Sequence, residues 1–210
     1  MEELDLLKKD WNQPGRAFKE VSESEIYNML HKRSSSIVKW ILIIGIAEVL
    51  IWSAISLIFS TEDYLRNLEQ TGFDTGLKGF NYLNYGIVVV FMYLFFRNYV
   101  NISATSNTRQ LMKDILKTRK TVQIYVWYNL TVIAISLVLG FVLAVNYNPE
   151  ISGLRDQINH DGASMAKFVG LIAIIIGVCV TVFWLIYRLI YGILLRQLLA
   201  NYRELRKIDL

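Results

Sequence analysis

The sequence predicts an all-α integral membrane protein: a four-helix transmembrane bundle whose helices extend into the cytoplasm. Three observations predict it. Apolar residues fill 54% of the 210 positions against 19% charged, and they gather into long blocks instead of falling at core-like spacing. Four of those blocks reach the roughly 20 residues that a helix needs to cross a hydrocarbon layer about 30 Å thick. Lys and Arg crowd beside alternate ends of the blocks, as the positive-inside rule requires of a bundle with both termini on one side.

The spans fall near residues 38–60, 83–102, 122–145 and 168–190. Eighteen of the 22 Lys and Arg residues lie in the N-terminal segment, the middle loop region or the C-terminal end. Arg66, Lys78, Arg155 and Lys167 are the other four. Both termini are therefore expected in the cytoplasm. The same topology accounts for the net charge of +4, which in a soluble protein would point to nucleic acid; no nucleic-acid partner is expected. Trp40, Tyr82, Tyr85, Tyr99, Tyr125, Trp127, Tyr128, Tyr147, Tyr187 and Tyr191 stand near span ends, where aromatic rings suit headgroup depth and contact membrane lipid.

The helical pattern overruns the bilayer on the cytoplasmic side. Ser22 and Glu25 have capping-box spacing, so a helix is expected to start there and run through Ile26, Leu30 and Ile37 into the first span. Leu111, Ile115 and Val122 form an apolar stripe ahead of the third span, and Leu195, Leu198, Tyr202 and Leu205 form one after the fourth. Each overhang of about 15 residues would stand roughly 23 Å out of the membrane. Residues 22–210 thus make one bundle with a cytoplasmic stalk, and residues 1–21 precede it as a separate segment.

Glu48 lies near the middle of the first span, sharing a helical face with Gly45 and Trp52. A charge there costs about 2.5–3.5 kcal/mol on insertion scales, so the side chain must face the bundle interior. Tyr93, Thr131, Ser136 and Thr181 are the polar residues expected at similar depth, giving an intramembrane polar site. The plainer reading is a hydrogen-bonding tie between helices; the sharper one is a proton or ligand site. Small residues recur every four positions as Ala173, Gly177 and Thr181 and as Ser136, Gly140 and Ala144. Packing within the chain is the expected use of these ridges, and a homo-oligomer is the alternative.

No catalytic constellation is found, and neither a metal site nor a cofactor is expected. His31 and His160 fall on opposite sides of the membrane, Cys179 is the only cysteine, and there is no phosphate loop or serine elbow. In the first 21 residues, Leu4, Leu7 and Trp11 take one face of a short mixed-charge helix that Pro14 ends. Such a helix suits a protein groove better than anionic lipid. It either engages a partner or folds back on its own stalk.

The stretches from Glu2 to Trp11 (EELDLLKKDW) and from Glu25 to Trp40 (EIYNMLHKRSSSIVKW) resemble small multi-pass inner-membrane proteins of Bacteroidota-type bacteria. That resemblance implies a membrane-anchored regulator holding a cytosolic partner, a sigma factor among them. The zinc-type anti-sigma pattern of one His and two Cys is absent. The expectation is a non-enzymatic scaffold or regulator that binds a cytosolic protein through Leu4, Leu7, Trp11, Leu195, Leu198, Tyr202 and Leu205. Its rival is a small transporter or channel-like protein working through Glu48.

Overall fold

The computed structural model describes residues 22–58, 73–147 and 162–208, which form four helices and no strand. These are α1 (Glu23–Ile58), α2 (Phe73–Ala104), α3 (Thr108–Tyr147) and α4 (Gly162–Ile208). All four are long and apolar enough to cross a membrane. The 47 residues of α4 would measure roughly 70 Å, more than twice a hydrocarbon core of about 30 Å. The protein is therefore a multi-pass α-helical membrane protein in which every helix outruns its span. Leu4, Leu7 and Trp11, and the loop residues Asn159, His160 and Asp161, lie outside the described residues.

The helix ends follow their local chemistry. Ser22 Oγ accepts the Glu25 backbone N–H while Glu25 Oε2 accepts that of Ser22, both at 3.2 Å, a reciprocal capping box as expected. A turn at residues 105–107 joins α2 to α3. Asn107 caps α3, its Oδ1 taking the Arg109 N–H at 2.9 Å and its carbonyl the Leu111 N–H. The carbonyls left over at the end of α2 are taken by α1: the Tyr27 hydroxyl donates to Thr105 O and His31 Nε2 to Ile102 O. α2 begins ten residues ahead of the expected span. Leu77 and Phe80 are half-buried while Thr75, Gly76, Lys78 and Gly79 are exposed, so an apolar edge at helical spacing carries the helix through two glycines.

The helices form a ring in chain order, α1 beside α2, α2 beside α3, α3 beside α4 and α4 closing on α1, with α1 also touching α3 across the diagonal. The buried residues follow a heptad. In α3 they are Leu111, Ile115, Thr118, Val122 and Tyr125; in α4, Tyr187, Tyr191, Leu198, Asn201 and Leu205; in α2, Phe91, Phe95, Asn98 and Ile102. Steps of four, three and seven keep one seam of each helix turned inward with the left-handed supercoil of a coiled coil. α1 contributes Leu30, Ser34, Ile37 and Ile41 and continues the line through Gly45 to Glu48.

This core sits at the end of the bundle where Lys and Arg gather, here termed the basic end. It includes a polar layer, in which Asn201 Nδ2 donates to Ser34 Oγ at 3.1 Å beside the buried Thr118. Beyond Tyr125 and Tyr187 the packing thins, though Leu130 and Leu143 of α3 are still buried. The most apolar stretch of α4 has no buried residue, and in α3 the share is 6%. The small-residue ridges fall in this open half: a Cβ placed on Gly140, Gly170 or Gly177 would meet nothing within 4 Å. Packing within the chain, the use expected of them, is not found among the described residues. Backbones that lie apart have no need of small residues between them.

Candidate functional site

Three tyrosine hydroxyls converge on Glu48, the carboxylate expected near the middle of the first span, though they themselves stand at the ends of the third and fourth. Glu48 of α1 accepts from Tyr125 of α3 at 2.9 Å and from Tyr191 of α4 at 3.3 Å, both on Oε2, while Tyr187 of α4 donates to Oε1. A carboxylate has two oxygens and about four lone-pair sites, so three phenol donors can be accommodated together. Each ring belongs to a heptad seam: Tyr125 lies seven residues beyond Thr118, and Tyr191 seven before Leu198. The acid layer is thus the last layer of the packed core and ties three of the four helices together.

Aromatic rings wall it in. Phe91 and Phe95 of α2 present edges to Tyr125 at 5.3 and 5.2 Å between centroids, Tyr191 meets Tyr125 at 6.1 Å, and Tyr187 stacks on Tyr191. Gly45, one turn before Glu48, is the position that lets α2 come close. A Cβ there would stand 3.0 Å from Met92 Cε and 3.4 Å from the Phe95 ring. One turn further into the open half, a second tie links α3 to α2, the Tyr128 hydroxyl donating to Asn84 Oδ1 at 2.8 Å.

The residues expected around Glu48 are not its partners. Tyr93 is 60% exposed on the outer side of α2, because the adjacent seam positions Phe91 and Phe95 take the inner one. Thr131 and Thr181 are exposed and donate to carbonyls of their own helices, Trp127 O and Gly177 O. Ser136 is exposed as well. Tyr93 stands at the level of the acid layer but faces outward, and the other three lie in the half where the packing thins, so they correct the expected site. Tyr125, Tyr187 and Tyr191 were assigned to the headgroup belt instead. Tyr125 lies seven residues from Thr118, Tyr191 seven from Leu198 and Tyr187 one turn before Tyr191, and this heptad spacing is the signal that identifies them as core. Trp52 touches the Phe183 ring at 5.9 Å without reaching the acid layer.

The stripe expected to bind a partner is also corrected. Leu198 and Leu205 are fully buried, and Leu195 and Tyr202 pack half-buried beside them. The chain's own α1 and α3 cover these side chains.

A ring of tyrosines on an acid can tie helices or pass a proton; no group of three metal-ligating side chains occurs among the described residues. The fold and site define a multi-pass helical bundle with a polar lock at the base of a packed stalk. The chain belongs to the family described as a domain of unknown function (DUF8845), whose model matches residues 24–210 and so takes in all four helices. No curated protein and no solved structure matches it significantly.

Proposed function

We propose that the protein is a non-enzymatic scaffold or regulator of the bacterial inner membrane, with both termini in the cytoplasm, that engages a cytosolic protein partner. The observation that supports this reading is the packed stalk. Its core is filled by its own seams, and Glu48 lines none of the three hollows along α3 and α4. A transporter or channel-like protein would work through the Glu48 carboxylate, which is half-buried and engaged by three tyrosine hydroxyls.

With Leu198 and Leu205 occupied in the core, recognition falls to the outer faces of the stalk and to residues 1–21. Those faces are basic. Lys32 and Arg33 of α1, Lys113, Lys117 and Lys120 of α3, and Arg196, Arg203, Arg206 and Lys207 of α4 are exposed and outnumber the exposed Glu23, Glu25 and Glu204, while Asp114 is buried and bonded to Thr105 and Gln110. An acidic protein surface suits them, since opposite potentials steer encounter and fix register. A sigma factor is the partner class the resemblance implies.

Crosslinking and mass spectrometry on native membranes test the proposal, with the full chain and with a variant lacking residues 1–15. Crosslinks from Lys32, Lys113 and Lys117 to a cytosolic protein are expected, fewer in the shortened chain. Crosslinks confined to other copies of this chain or to other membrane proteins overturn the scaffold reading.

A further inference from the structure

The outer side of the α3–α4 pair carries three adjoining hollows that share the indole of Trp127. One, of about 400 Å³, has an apolar floor of Leu130, Ala134, Ile135 and Val180. Its two threonines, Thr131 and Thr181, donate their hydroxyls to their own helices. Past Trp184 a second hollow of about 230 Å³ leads to Gln123 and Arg188, and a third of about 610 Å³ reaches Lys120. Together they make a groove along the helices with an oily floor at one end and two cations and an amide at the other.

Arg188 is the unusual member. Its guanidinium lies over the Trp184 ring, 4.9 Å from the centroid, one turn toward the apolar end of α4. Among the described residues it meets no carboxylate. A cation beside apolar surface calls for an anion. Phosphate is the anion whose oxygens match a planar guanidinium, and Lys120, in the adjoining hollow along α3 that shares Gln123 and Trp127, adds positive potential. Trp127 is 67% exposed at the same level, as an indole at headgroup depth would be. Lys and Arg gather at this end of the bundle, which adds a field favouring anionic headgroups.

We propose that this groove binds one anionic phospholipid, its phosphate held by Arg188 beside Gln123, with Lys120 of the adjoining hollow adding charge, and an acyl chain lying on Leu130, Ala134 and Val180. An amphiphile is the occupant that satisfies both ends. A free phosphate would leave the floor bare, and an apolar helix would leave Arg188 without a counter-charge.

Native mass spectrometry of the purified full chain, released from detergent with phosphatidylglycerol or phosphatidylcholine added, reads the result. Phosphatidylglycerol is expected to be held about tenfold more tightly, because its headgroup lacks the trimethylammonium that in phosphatidylcholine offsets the phosphate charge and would be repelled by Arg188 and Lys120. Arg188→Gln should abolish the preference, and Lys120→Gln, the second variant should the first unfold, should weaken it. Ala134→Phe should lower retention of both lipids by filling the floor. Arg203→Gln, exposed on α4 outside the groove, should change nothing. Equal loss in Arg203→Gln and Arg188→Gln overturns the proposal in favour of diffuse attraction. Displacement of the lipid by soluble glycerol phosphate overturns it in favour of a phosphate site. A dimer that Ala134→Phe dissolves without any dependence on lipid overturns it in favour of a second copy.

Discussion

Toward the basic end, the four helices share one continuous seam in which Ile41, Ile102, Leu111, Ile115, Val122, Leu198 and Leu205 have no exposed surface. Toward the other end the same helices lie apart, and Ile174, Val89 and Leu50 are about two-thirds exposed. The contrast is the one expected of helices that run from water into a bilayer. In water, apolar side chains must close on one another, and burying a Leu or Ile contributes roughly 1.5–3 kcal/mol. Inside a bilayer the tails are as apolar as leucine, so that force is absent and helices stay together only through close packing or hydrogen bonds. The Glu48 layer stands at the boundary, where hydrogen bonding takes over from the hydrophobic seam.

That contrast can be broken most directly by cutting equal volumes from each half. Leu198→Ala or Ile115→Ala should lower stability by about 2–5 kcal/mol in a detergent melt, whereas Ile174→Ala or Leu139→Ala should stay within about 0.5 kcal/mol. Equal losses would mean that the open half is packed after all, by a second copy or by ordered lipid. At the boundary, Glu48→Ala leaves three tyrosine hydroxyls without their acceptor. It should cost about 1–3 kcal/mol, and Tyr187→Phe less because it removes one donor and leaves two. A melt of Glu48→Ala indistinguishable from wild type would remove the acid layer from any account of how the halves are joined.

Glycines sharpen the comparison further. Gly45→Leu should cost about 1–3 kcal/mol through the Met92 and Phe95 contacts, while Gly177→Leu, pointing into open space, should cost next to nothing in the same assay. The smallest expected effect concerns the polar layer. Asn201 Oδ1 is buried with no hydrogen-bond partner, so replacing the pair together, Ser34→Ala with Asn201→Leu, should raise the melting temperature by a few degrees. The same double variant tests whether this layer fixes helix register, read as new oligomers on size exclusion.

The start of α1 is legible in the sequence because its signal is local, whereas α2 begins ten residues ahead of its expected span. Ser22 and Glu25 announce a capping box three residues apart, and the box is there. Glu48 was legible as inward-facing because a charge in a span has nowhere else to go. Its partners were not. Tyr93, Thr131, Ser136 and Thr181 were matched by depth along each span, but depth says nothing of which side of a helix faces in. Likewise Leu198 and Leu205 read as a docking stripe because an apolar seam looks the same whether another protein or the chain's own α1 and α3 cover it.

By itself, then, the sequence determined four apolar helices that outrun their spans and the acid that must hide among them. Hydropathy and capping are properties of short stretches of chain. Only the tertiary structure decided which faces meet, that tyrosines from α3 and α4 close on Glu48, and that the ridges of Gly140 and Gly177 stay open. Within a span nearly every side chain is apolar, so no contrast marks the buried face. The choice falls to a heptad register set outside the span, in the stalk.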